Sequence, residues 1–188
     1  MTEPATIVDV ASAAALHGEM RRCSKVLITV AVFELLAGVW SFPYLFGRAS
    51  ILFANPLFLP EPGLGDAAVK VYVASHPLFA LAALAFAVKG RVRHAIVVLG
   101  AVEMMRWLNF MTSVVSNGLR LNDGLALQWT AAQIFIFPLL AACAIALATR
   151  GRRLGLATAQ VSIPTLYNLL CIMVFAIMLI IDDRRAGG

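Results

Sequence analysis

The sequence predicts an all-α, polytopic membrane bundle of about five transmembrane helices, and three observations carry that prediction. Of 188 residues, 61% are hydrophobic and 13% charged, whereas a soluble domain carries about 25% charged residues. The mean hydropathy is +0.88. The apolar residues fall into five runs separated by basic or turn-forming residues, each close to the roughly 20 residues that one membrane crossing needs. Five spans with short connections nearly exhaust the chain, so a single bundle with no separate soluble domain is expected.

The elements follow in order. Residues 1–25 contain Glu3, Asp9, Glu19, Arg21, Arg22 and Lys25. They lack an apolar run with a small-residue cleavage site, so no cleaved signal peptide is expected. Residues 6–16 read as a short cytoplasmic or interfacial helix leading into the first span, residues 26–46. The loop after Gly47-Arg48 holds Asn55-Pro56, Pro60, Pro62-Gly63 and Gly65-Asp66, and its apolar residues predict an interfacial or folded-back path. Asp66 is the expected N-cap of the second span, residues 67–88. Lys89, Arg91, Arg93 and His94 form a tight turn into the third span, residues 95–115. A polar connection with Arg120, Asn122 and Asp123 leads to the fourth, residues 125–149. Arg150, Arg152 and Arg153 form the turn into the fifth, residues 156–181, and residues 182–188 read as a short polar tail.

Charge gives an orientation. Alternate connections carry nine Lys and Arg residues on one side (Arg21, Arg22, Lys25, Lys89, Arg91, Arg93, Arg150, Arg152, Arg153) and five on the other (Arg48, Lys70, Arg120, Arg184, Arg185). The positive-inside rule then predicts a cytoplasmic amino terminus, an outside carboxyl terminus and residence in the cytoplasmic (inner) membrane. Trp40, Tyr44, Tyr72 and Trp129 fall together as an expected interfacial belt. The net charge of +5 is spent on these topology signals. A nucleic-acid surface would need a basic face interleaved with exposed aromatics, and no nucleic-acid partner is expected.

Several chemistries find no support. Cys23, Cys143 and Cys171 are far apart and form no CxxC pair, so neither a metal site nor a disulfide framework is predicted. Walker, GxGxxG, HExxH and GxSxG patterns are absent, and one midplane histidine does not make a bis-histidine haem site. No cofactor is implied. No repeat of fixed period is expected either, since an odd number of spans argues against a simple duplication.

The informative residues are the polar ones inside apolar runs, because a charge at the bilayer centre costs about 2.5 to 3.5 kcal/mol even on lenient scales. At a rise of about 1.5 Å per residue, Glu34 and Glu103 sit roughly 12 Å from the basic boundary, and His76, Arg106 and Asn168 roughly 16 to 18 Å. Five polar groups from four spans are thus predicted to share one layer. On the third span Glu103, Arg106, Asn109, Ser113 and Ser116 share a face opposite Val97, Met104, Leu108, Met111 and Val115. Glu34 shares a face with Ala31, Ala37, Gly38 and Ser41, and His76 with Ala80, Ala83 and Ala87, the small-residue pattern of close helix contacts in lipid. On the fifth span Gln160, Pro164, Tyr167, Asn168 and Cys171 gather on one side. Pro77, Pro138 and Pro164 each free a helical carbonyl, of Val73, Ile134 (beside Gln133) and Gln160, which protein or enclosed water must satisfy.

The expected ligand- or proton-binding set is therefore Glu34, His76, Glu103, Arg106, Asn109, Gln133, Tyr167 and Asn168, with Glu34 and His76 the candidate acid/base groups. Two carboxylates face one guanidinium, so charge balance requires a protonated His76 or one neutral acid. The expectation is that Arg106 holds Glu103 ionised while Glu34 exchanges the proton. The bland reading is a structural Glu103–Arg106 bridge with a packed His76. Three function classes follow: a protein that binds or transports a small molecule or proton; an intramembrane acid/base enzyme acting on a lipid-like substrate; and an accessory subunit of a larger membrane complex. Expected partners are the bilayer, a second copy or another membrane protein, and a small apolar or lipid-like ligand.

Overall fold

The computed structural model describes residues 7–47, 64–117 and 130–186. Helix α1 spans Ile7–Trp40 and passes into a 3-10 turn, Phe42–Phe46. Helix α2 is Leu64–Val88 and α3 is Val92–Asn117. A π turn at Ala132–Ile136 runs into α4, Phe137–Thr149, and α5 is Leu154–Ala186. Five of these stretches are long and apolar enough to cross a membrane, as the sequence predicts. The loop over 48–63, the connection 118–129 with Trp129, and the start of the fourth span at 125 lie outside the described residues.

The amino-terminal lead-in is continuous with the first span. No proline interrupts residues 7–40, so helix propagates from Ile7 until Pro43, which cannot donate a helical hydrogen bond. Gly47, at φ +71°, closes the 3-10 turn. At the far end α5 likewise continues through the polar tail to Ala186.

Helix α3 packs against all four other helices, and α1 closes the bundle by touching α2, α3 and α5. Small residues make this possible. A Cβ on Gly38 would stand 3.1 Å from the Pro77 ring, and one on Gly100 would stand 2.6 Å from Ile145 Cγ1. Ala80, Ala83 and Ala87 of α2 and Ala141, Ala144 and Ala148 of α4 are wholly buried. Without a hydrophobic force between helices in lipid, such close backbone approach supplies the packing energy. Leu36, Trp40, Val71, Leu78, Phe135, Leu139 and Leu170 stay exposed, as a lipid-facing surface requires.

One short stretch recurs, which the sequence reading did not expect. Residues 77–91 and 138–152 align at an offset of 61 with eight of fifteen positions identical: Pro77/Pro138, Leu78/Leu139, Ala80/Ala141, Ala83/Ala144, Ala85/Ala146, Ala87/Ala148, Gly90/Gly151 and Arg91/Arg152. The geometry repeats with the sequence. Lys89, Gly90 and Arg91 donate backbone hydrogen bonds to Ala85, Ala87 and Phe86, and Arg150, Gly151 and Arg152 donate to Ala146, Ala148 and Leu147 at the same offset. Gly90 and Gly151 take φ +68° and +65°, the left-handed conformation that ends helices in this way. The second half of α2 and α4, with the turn that follows each, are thus alike. The match ends there: residues 92–117 and 153–178 share only Leu108/Leu169 at the same offset.

Two expectations about the aromatic belt also need correction. Trp40 is exposed, but Tyr44 and Tyr72 are buried. The Tyr44 hydroxyl donates to Asp66 Oδ1 at 3.0 Å, and Asp66 also pairs with Lys70 at 2.7 Å. Asp66 therefore lies in the first turn of α2, which begins at Leu64, rather than capping it, and ties that turn to the end of α1.

Candidate functional site: a buried charge network joining four helices

Glu34 is the hub. It lies on the inner face of α1 with Ala31, Gly38 and Ser41, all buried, and the small neighbours let α2 come close enough to reach it. Glu34 Oε2 accepts from His76 Nε2 of α2 at 2.8 Å and from Arg106 Nη2 of α3. Glu34 Oε1 accepts from the Thr165 hydroxyl of α5 at 2.6 Å. Both oxygens of this carboxylate are engaged by three other helices.

Arg106 is the second branch point. Its Nη1 donates to Glu103 Oε1 at 2.5 Å, one turn back on α3, and its Nε donates to the Tyr72 hydroxyl at 3.4 Å. Tyr72 also stacks on His76, with centroids 5.2 Å apart and planes 19° from parallel. The side chains of Glu34, His76 and Glu103 are 3 to 4% exposed and that of Arg106 is 17% exposed. Removing such charges from water costs several kcal/mol per ion. The cost is offset only because each charge finds an opposite charge and directed hydrogen bonds.

Glu34, His76, Glu103 and Arg106, four of the five residues expected to share one layer, are joined by direct hydrogen bonds. Asn168 is not among their partners: its Oδ1 accepts from Gln133 Nε2 at 3.0 Å, linking α5 to the π turn. Tyr167 packs edge-on against Phe137, with centroids 5.4 Å apart. Asn109, one turn beyond Arg106 on α3, has a buried Oδ1 with no hydrogen-bond partner among the described residues.

The freed carbonyl at Pro138 is accounted for: Trp107 Nε1 of α3 donates to Ile134 O at 3.0 Å. A bulky donor entering the backbone ladder beside a proline is a recognised cause of irregular helix, and the π turn lies there. In the turn before Pro164, Thr158 Oγ1 and Gln160 Oε1 are buried without partners.

The bet that Glu34 is the acid without a fixed partner does not match the geometry. Glu34 receives three donors, whereas Glu103 receives Arg106 alone. Sequence reasoning also missed Thr165 and Tyr72. A signal for Thr165 was present, since Thr158, Ser162 and Thr165 repeat at i, i+4, i+7 and are all buried. The inward face of α5 follows these hydroxyls, whereas the predicted face, built on Gln160, Tyr167 and Cys171, lies nearly opposite, about 165° away at 100° per residue.

Among the described residues, no group of three or more His, Cys, Asp or Glu could hold a metal ion, and Cys23, Cys143 and Cys171 are free thiols. No protein family, no curated protein and no solved structure matches this chain.

Proposed function

We propose that this chain is a multi-pass protein of the cytoplasmic membrane that binds or transports a small molecule together with a proton, using the midplane network as the proton-binding site. One observation carries the reading: two buried carboxylates, one guanidinium and one imidazole from three helices share a single hydrogen-bonded network. With a neutral His76 donating to Glu34, the two acids and one arginine leave one negative charge in excess. A single proton balances it. Glu34 has donors on both oxygens, so the proton belongs on Glu103, which has one oxygen free of donors among the described residues, rather than on Glu34. His76 remains a candidate acid/base group through its bond to Glu34.

Asn109, Gln133, Tyr167 and Asn168 are the small-molecule side of this proposal. They lie beyond Arg106, away from the two basic turns, and the unpartnered Asn109 Oδ1 offers an acceptor to a polar ligand. The ligand would be small and largely apolar or lipid-like, since these residues lie within apolar spans. The count of nine basic residues against five supports an amino terminus in the cytoplasm. Assembly as a homo-oligomer or with another membrane protein belongs to the same reading, because five spans are few for a solitary carrier.

Infrared difference spectroscopy of the protein in lipid, stepped across neutral pH, tests the proton site. A protonated-carboxyl band that disappears in Glu103→Gln and persists in Thr165→Val is expected. If no carboxyl band responds to pH, the proton-binding reading is wrong and the network is a structural clamp, as an accessory subunit would have. Turnover of a lipid extract by the purified protein would instead favour the acid/base enzyme.

A further inference from the structure

We infer that the cleft between the two similar turns binds a phosphate-bearing anion, either the headgroup of an anionic lipid or free phosphate. The cleft has a volume of about 470 Å³ and is lined by the Gly90–His94 turn, by Gly151, Arg153 and Leu154 of the second turn, and by Glu19, Met20 and Cys23 of α1. None of these residues belongs to the midplane network. That volume suits a whole small molecule rather than a single ion.

Arg91, Arg93 and Arg153 bring three guanidinium groups to this lining, and none of them forms an ion pair among the described residues. Arg93 crosses from the first turn onto the second, where a Cβ on Gly151 would collide with its guanidinium. Arg153 adopts φ +49°, a left-handed conformation that side-chain-bearing residues take rarely. Neither feature is required to reverse the chain, since glycine and the repeated backbone hydrogen bonds already do that. The one carboxylate in the lining, Glu19, sits over the first turn of α5, with Oε1 2.7 Å from where a Gly155 Cβ would be. It leaves a clear excess of positive charge.

Helices α3 and α5 both begin at the cleft, so the free N–H groups and positive dipole ends of two first turns add to the arginines. Guanidinium forks match phosphate oxygens in a bidentate fashion, and basic pockets between spans at the level of the headgroups suit anionic lipids. Met20, Cys23 and Leu154 add the apolar wall that a glycerol backbone or acyl chain would meet.

The test uses the full-length protein in detergent and in nanodiscs. Native mass spectrometry should show phosphatidylglycerol retained over phosphatidylcholine by at least about tenfold, about the factor that one good charge-assisted contact supplies. That preference should vanish in Arg93→Gln/Arg153→Gln and in Arg91→Gln/Arg153→Gln; the second variant leaves the Arg93 packing in place. Arg22→Gln, a basic residue at the same end but outside the lining, should retain it. In a parallel arm, millimolar inorganic phosphate is added to lipid-free micelles. A rise in melting temperature seen for the wild type and lost in both double variants assigns the site to free phosphate. If neither probe distinguishes the double variants from wild type, or if Arg22→Gln loses binding equally, the cleft is not a phosphate site.

Discussion

Arg106 is the residue on which the balance of the buried charges turns, because it is the one fixed cation between two carboxylates. Arg106→Gln should therefore destabilise the protein by about 3 to 5 kcal/mol, the usual cost of stranding buried charge. Glu103→Gln should cost less than about 1 kcal/mol, since glutamine has nearly the shape and charge of a protonated glutamate and one Glu103 oxygen has no donor to lose. Unfolding by titration with a denaturing detergent measures both. If the two variants are equally unstable, Glu103 is ionised and the proton lies elsewhere. The four charged or imidazole members of the network were legible in the sequence, because an ionisable side chain in an apolar run is conspicuous. Thr165 and Tyr72 were not. A hydroxyl can satisfy itself within its own helix, as Ser162 does by donating to the Thr158 carbonyl at 2.7 Å, and a tyrosine near a span end reads equally well as an interfacial anchor.

At the scale of elements, the two turns give a controlled comparison. Gly90 and Gly151 have the same backbone conformation, so alanine at either should cost about 1 kcal/mol for the left-handed backbone. Around Gly90 a Cβ meets open space, whereas at Gly151 it meets the Arg93 guanidinium. That guanidinium is the far end of a flexible, exposed side chain that can swing aside, so Gly151→Ala should cost within about 0.5 kcal/mol of Gly90→Ala. Melting temperatures of the two variants check this, and a Gly151→Ala loss larger by about 1 kcal/mol or more, abolished by Arg93→Ala, would contradict it. Span positions and turns were readable from hydropathy and glycine placement. The continuous helix from Ile7 was not, because the polar residues before the first span mimic a boundary without breaking helix. The likeness of residues 77–91 and 138–152 was also hidden, since alanine and leucine dominate both stretches as they do most of the chain.

For the whole molecule, two levels of the bundle differ in what they hold. At the basic end two similar turns frame the arginine-lined cleft. Further along, α1, α2 and α3 hold the charges, α5 contributes Thr165, and the Gln133–Asn168 pair ties α5 to the π turn. The network joins four helices. The central claim is that groups distant in sequence, Glu34 on α1 and Arg106 on α3, share one buried site. A double-mutant cycle on unfolding in lipid, with Glu34→Gln, Arg106→Gln and the double variant, tests it most directly. A coupling of about 1.5 kcal/mol or more is predicted for a buried, hydrogen-bonded charge pair, and additivity within about 0.5 kcal/mol, as for independent sites, would contradict it.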